Sequence, residues 1–226
     1  MNLNLIEYPD REALAMDLAD LLASELSSAL RLADRVSMAV PGGTTPGPIF
    51  EGLSGVNLDW DRVDILLTDE RWVPESSDRS NTALLRRSLL TGQAAAANLV
   101  PMYLERQTPE QALAELTSGI EAVLPLSVLL LGMGADMHTA SLFPGADLLH
   151  DALQDHAPVV MPMRAGGASE PRVTLTAPVL KGAMSTHIVI TGSEKRAALD
   201  RARSLDNPLQ APICAVLKGA TIHWAD

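Results

Sequence analysis

Asp136, His138, Thr139 and Ser141 follow directly on one of the most apolar runs of the chain, in the stretch LLLGMGADMHTASLFPG at 129–145. A core strand needs no such polar ending, whereas a site built at the end of a strand does. Gly132 and Gly134 flank a turn, and Asp136 and His138 stand two residues apart. A carboxylate beside an imidazole fixes the orientation of the ring, so His138 is read as functional with Asp136 as its partner. Thr139 and Ser141 are suited to cap a following helix. Ser141 lacks the G-x-S-x-G elbow of a hydrolase nucleophile. No second His or Cys stands at metal-ligand spacing, so no metal site is expected.

Other polar motifs also fall at the ends of apolar runs. In VPGGTTPG (40–47), Gly42 and Gly43 let backbone N–H groups approach a ligand, and Thr44 and Thr45 add hydroxyls. Glycine-rich turns that lead into a helix bind phosphate in this way. The loop has no Walker lysine, which disfavours a nucleoside triphosphate. In TDERWVP (68–74), Asp69, Glu70 and Arg71 follow an apolar run, and Trp72 and Val73 would anchor the loop. A fixed Arg grips phosphate or carboxylate in bidentate fashion. Arg172 opens the run RVTLT, and Lys195 lies in the first turn of a helix that begins after Gly192. A cation there opposes the helix dipole, which makes sense if an anion sits at the same end. Together Gly42, Gly43, Thr44, Thr45, Arg172 and Lys195 suggest a phosphate pocket. Asp69, Arg71, Asp136 and His138 suggest a reaction centre beside it.

The elements that must hold these motifs alternate between short apolar runs and helical periodicity. Helices are expected at 10–34, 81–90, 108–124 and 193–203, and a short one ends at Gly55. Thr108 and Gln111 have capping-box spacing. Strands are expected at 35–40, 62–68, 126–132, 172–180 and 186–191, with one or two more in the last sixteen residues. The segment 68–79 reads as a polar loop and 146–171 as a weaker region. The pattern predicts an α/β sandwich with a mainly parallel sheet. No linker divides the chain, so one domain over 1–226 is expected. Ligands bind such folds at the carboxyl ends of strands, where the motifs above fall, Arg172 at the start of its run excepted.

Bulk properties agree. The 226 residues carry a net charge of −11, which argues against a nucleic-acid partner. Apolar runs are too short to cross a bilayer, and no signal peptide opens the chain. The single cysteine, Cys214, lies in the apolar run ICAVL and reads as a buried structural thiol; its solitude fits a reducing cytoplasm. Only three lysines occur, Lys181, Lys195 and Lys218, which draws attention to each position. Trp224 reads as core. Monomer and homodimer both remain open.

PGGTTP, DERWVP followed by DRSN, GMGADMHTASLFPG, RVTLTAPVL and TGSEK occur in this order. In that series the chain resembles the 6-phosphogluconolactonase family, within the superfamily that includes glucosamine-6-phosphate deaminase. The resemblance spans nearly the whole chain. It implies a Rossmann-like three-layer α/β fold, hydrolysis of a sugar-phosphate lactone in the oxidative pentose phosphate pathway, and no metal or organic cofactor. It also implies His138 as general base oriented by Asp136, Arg71 as substrate and oxyanion contact, and Asp69 as a hydroxyl contact. The 6-phosphate would be held by Gly42, Gly43, Thr44, Thr45, Arg172 and Lys195. The chain departs from the family pattern at Met137, where glycine is usual, and at Arg164, in a Gly-rich loop (161–171) without the expected basic-Pro pair. A position that needs φ > 0 would strain Met137; one facing substrate would make it narrow the pocket. Two other readings remain: an isomerase or deaminase with Asp69 as base, and a non-catalytic sugar-phosphate sensor.

Overall fold

The computed structural model describes residues 3–166 and 169–226. Its central sheet contains β1 (Asn4–Glu7), β2 (Val36–Val40), β3 (Val63–Leu67), β5 (Asn98–Leu99), β6 (Val128–Gly132), β9 (Ser185–Thr191) and β10 (Thr221–Ala225). All pair in parallel, in the order β1-β10-β9-β6-β2-β3-β5. A second, antiparallel sheet has the order β4-β8-β7, formed by β4 (Asp69–Arg71), β8 (Arg172–Leu175) and β7 (Val160–Met163). The principal helices are α1 (Arg11–Leu30), α2 (Gly47–Ser54), α3 (Asn81–Ser88), α4 (Leu113–Glu121) and α7 (Ser193–Leu205); α5 (Leu149–Ala152) and α6 (Ala177–Lys181) are single turns. This is the expected α/β architecture, with a parallel sheet flanked by helices.

Burial explains why the central strands read as unbroken apolar runs. Every residue of β2 and β3 is buried, as are the first four of β6. Strands covered on both faces do not alternate. The charged exception in β3, Asp64, is held by Arg35 at 2.6 Å and Asn98 at 2.7 Å. Helix α1 starts where Asp10 accepts the Ala13 N–H at 2.8 Å. Its Leu18, Leu22 and Leu26, spaced by four residues, are fully buried, each contributing about 2 kcal/mol of apolar burial.

The structure corrects the sequence reading in several places. Residues 69–71 are a strand rather than loop, because Asp69–Arg71 pair with Thr174–Arg172 across the second sheet. Helix 108–124 divides into a 3-10 turn at Pro109–Gln111 and α4, and the Thr108 side chain caps nothing. Gln111 instead accepts the Gln107 N–H at 3.2 Å. Helix α1 stops at Leu30 rather than 34. The edge strand β1 has no counterpart in the reading, since three of its four residues are exposed and leave no apolar run. Neither Thr139 nor Ser141 caps a helix; their hydroxyls donate to Gly132 O and Asp69 Oδ2.

On β9 and β10, facing α1, a polar chain runs through the core. Glu25 Oε2, His187, His223 and Tyr8 are linked at 3.0, 3.0 and 2.9 Å. Burial, with His187 alongside, pushes His223 down to about 4, so this ring is neutral in the fold. Cys214 is buried with its Sγ against Ala202 O at 3.2 Å, and burial pushes its thiol up, as a structural thiol requires. Trp224 is half-buried rather than core, with Nε1 donating to Gly192 O at 3.1 Å. Among the described residues no helix is long and apolar enough to cross a membrane.

The chain order places a topological switch between β2 and β6. From β2 the chain steps outward to β3 and β5, then returns to the other side of β2 for β6, β9 and β10. Connections that diverge in this way leave a crevice outside the carboxyl ends of the two strands.

Candidate active site

A cleft of about 740 Å³, open to solvent, lies at this switch. Its walls are the residues after β2 (Pro41, Gly42, Gly43, Thr45), after β3 (Asp69, Arg71), after β6 (Met133, Gly134, His138, Ala140) and on or after β9 (Val189, Lys195), with Arg172 and Asn81 closing it. Eight of the ten residues read as functional from sequence line it: Gly42, Gly43, Thr45, Asp69, Arg71, His138, Arg172 and Lys195. Asp136 stands behind His138. Thr44 is the exception. Gly43 adopts φ +86, and beyond that turn Thr44 lines an adjoining cavity with Arg11 and Thr191 instead.

His138 is half-buried and held at Nδ1 by Asp136 Oδ1 at 2.5 Å. The same carboxylate accepts the His138 backbone N–H at 3.2 Å. Nε2 has no hydrogen-bond partner among the described residues. The loop is shaped for this pair. A Cβ on Gly134 would stand 2.2 Å from His138 Nδ1 and 2.5 Å from Asp136 Oδ1. Gly134→Ala is therefore expected to push the ring out of line and lower kcat by about 100-fold at nearly unchanged Tm, measured by steady-state kinetics and thermal melting.

Met137 takes φ +68, so the position does require the left-handed backbone that favours glycine. Its side chain is buried in the core rather than in the cleft. Apolar burial of about 2 kcal/mol offsets a backbone cost of about 1–2 kcal/mol, which accounts for a methionine at this position.

Opposite the imidazole is a cationic wall. Arg71 and Arg172 are direct partners across β4 and β8. Both present a buried Nε with no hydrogen-bond partner. Arg71 reaches Arg79 O at 2.7 Å, and Arg172 lies 3.8 Å from Asp69 Oδ2. Burial pushes the Arg172 pKa down and Arg71 adds to the effect, while Asp69 opposes it. Burial likewise lowers Lys195, which makes no hydrogen bond or ion pair among the described residues. Half-buried cations with so few partners are costly; an anionic ligand would give all three a further one. Phe143 lies between base and cation, 4.4 Å from the His138 ring and 5.1 Å from the Arg172 guanidinium. Asp69 is buried and immobilised, accepting Ser141 Oγ at 2.6 Å.

Two further residues escaped the sequence reading of the site. Glu70, completely buried, accepts five hydrogen bonds: from the N–H groups of Arg71, Asn81 and Thr82, and from the hydroxyls of Ser80 and Thr82. It ties β4 to the N-terminus of α3. Asn81, also buried, lines the cleft and donates from Nδ2 to Asp69 O at 3.2 Å. DERW and DRSN thus form one unit, which only the contact across ten residues reveals. Trp72 anchors the segment as expected, donating to Arg106 O at 3.1 Å. Arg164 turns to Glu110 at 2.7 Å and does not line the cleft. Of its loop, Gly167 and Ala168 lie outside the described residues. No three His, Cys, Asp or Glu side chains among the described residues gather as a metal site.

Comparison with known proteins places this geometry in a family. The model for glucosamine-6-phosphate isomerases/6-phosphogluconolactonase matches residues 9–224. A 6-phosphogluconolactonase of Rhizobium meliloti (strain 1021) is 42% identical over 231 residues, 99% of this chain and 98% of its own. One of Pseudomonas aeruginosa is 41% identical, covering 93% of this chain and 90% of its own. A crystal structure of a 6-phosphogluconolactonase from Shewanella baltica OS155 superposes with a TM-score of 0.96 at 30% identity, covering 100% of this chain and 98% of that one. With a cleft of this make-up and matches over nearly its full length, the chain belongs to the glucosamine-6-phosphate isomerase/6-phosphogluconolactonase family.

Proposed function

We propose that this chain is an enzyme that hydrolyses 6-phospho-D-glucono-1,5-lactone to 6-phospho-D-gluconate. The observation that carries the reading is the Asp136–His138 pair facing three unpaired or poorly paired cations, Arg71, Arg172 and Lys195, across one cleft. The first is a base for water; the second is a seat for a phosphorylated, charge-developing substrate.

In the mechanism, Nε2 of His138 takes a proton from water as its oxygen attacks the lactone carbonyl carbon. Asp136 on Nδ1 fixes the ring and stabilises the imidazolium that forms. The carbonyl oxygen becomes an oxyanion, and Arg71 offsets its charge. As the bond from that carbon to the ring oxygen breaks, His138 returns the proton to the leaving oxygen, giving an alcohol and a carboxylic acid that ionises. Gly42, Gly43, Thr45, Arg172 and Lys195 hold the 6-phosphate, and Asp69 contacts sugar hydroxyls. Phosphate binding away from the reacting carbon fixes its position and so raises kcat. A reducing cytoplasm suits both this activity and the lone Cys214.

The isomerase or deaminase alternative needs Asp69 as a free base. Its Oδ2 is already engaged by Ser141 and faces Arg172, which favours the lactonase. In a coupled 6-phosphogluconate dehydrogenase assay, the enzyme should open the lactone well above the spontaneous rate, and it should release no ammonia from glucosamine 6-phosphate. The reverse pattern would replace this reading with the deaminase.

A further inference from the structure

We infer that Asn81 is a substrate-contacting specificity residue, whose amide oxygen accepts a hydrogen bond from a hydroxyl of the polyol part of the substrate. The inference deepens the proposed lactonase reading and rests on it. Three observations fix the side chain. Its backbone N–H is held by Glu70 Oε1 at 2.8 Å. Its Nδ2 is committed to Asp69 O at 3.2 Å. Its amide lies against Gly42 so closely that a Cβ there would be 2.2–2.4 Å from Cγ, Oδ1 and Nδ2. The residue is 3% exposed, and that exposure is to the cleft.

Chemistry assigns the remaining atom. Oδ1 accepts no hydrogen bond from any described residue, and unlike the Nε atoms of Arg71 and Arg172 it is not sealed from solvent, so it is open to a ligand in the cleft. The cleft is rich in donors, since Arg71, Arg172 and Lys195 accept nothing. A polyol brings O–H donors of its own, and Asp69 already has Oδ2 engaged by Ser141. Asn81 Oδ1 therefore supplies the acceptor that the hydroxyl-bearing part of the ligand needs, next to Asp69. A site built to bond a hydroxyl discriminates against ligands without one.

The test compares two probes on the intact protein by calorimetry: 6-phosphogluconate, which carries the polyol, and inorganic phosphate, which does not. Asn81→Ala should weaken 6-phosphogluconate about tenfold, the loss of one neutral hydrogen bond, and leave phosphate unchanged. Asn81→Leu, nearly isosteric and still packed on Gly42, should show the same selective loss. The loss should persist in an Asp69→Asn background. Equal loss for both probes, no loss for either, recovery in the Leu variant, or disappearance of the effect without Asp69 would each overturn the inference. Wild-type protein that binds phosphate but neither binds 6-phosphogluconate nor opens the lactone would instead remove the reading on which it rests.

Discussion

His138→Ala is expected to lower kcat for lactone opening by about 10²–10⁴-fold, the usual worth of a positioned general base. The phosphate seat does not include this side chain, so the affinity for inorganic phosphate should not change. The expectation follows from geometry. Nδ1 is fixed by Asp136 at 2.5 Å, Gly134 admits the ring where any side chain would collide with it, and Nε2 is left for water. Asp136→Asn should cost less, because the ring remains but its orienting charge is lost. A stopped-flow measurement of both variants against the spontaneous background gives the numbers. If His138→Ala kept the wild-type kcat, the proton acceptor would have to be another group, and Asp69 would be the next to test.

The second large effect is on stability. Glu70→Gln is expected to destabilise the protein by about 3 kcal/mol. The glutamine nearly matches the glutamate in shape, but one of its terminal groups donates rather than accepts. In the structure Oε1 receives the N–H groups of Arg71 and Asn81, and Oε2 receives the N–H of Thr82 with the Thr82 and Ser80 hydroxyls. Whichever way the amide turns, at least one buried N–H then faces an NH₂. The negative charge at the start of α3 disappears as well. With a urea slope of about 3 kcal/mol/M, the midpoint should fall by ~1 M. Since Glu70 also places Asn81 and the Arg71 backbone, KM should rise in parallel. An unchanged urea midpoint would mean that the five hydrogen bonds carry little net stability.

The sequence made most of the site legible because it is assembled from loops that each follow a buried strand. An apolar run that stops at polar residues and glycines marks a strand end in the chain itself, and the ends of β2, β3, β6 and β9 meet at the switch. His138, Arg71, Lys195 and the glycine loop were recognisable for that reason. Thr44 was not separable from Thr45, because only the left-handed backbone at Gly43 decides which of the two faces the cleft. The roles of Glu70 and Asn81 depend on a contact between β4 and the start of α3, and no local pattern encodes which of three adjacent charges turns inward. Strand β4 and the edge strand β1 escaped because their residues are charged or exposed, so pairing rather than composition makes them strands. At Met137 the local sequence poses a question that backbone geometry and burial answer together: the left-handed conformation is real, and the core holds the side chain.

The most direct measurement is of the reaction itself. Freshly prepared 6-phospho-D-glucono-1,5-lactone, followed by ³¹P NMR with and without the enzyme, should convert to 6-phosphogluconate far faster in its presence, and His138→Ala should return the rate close to that of buffer. Identical time courses with and without wild-type protein would contradict the account at its centre.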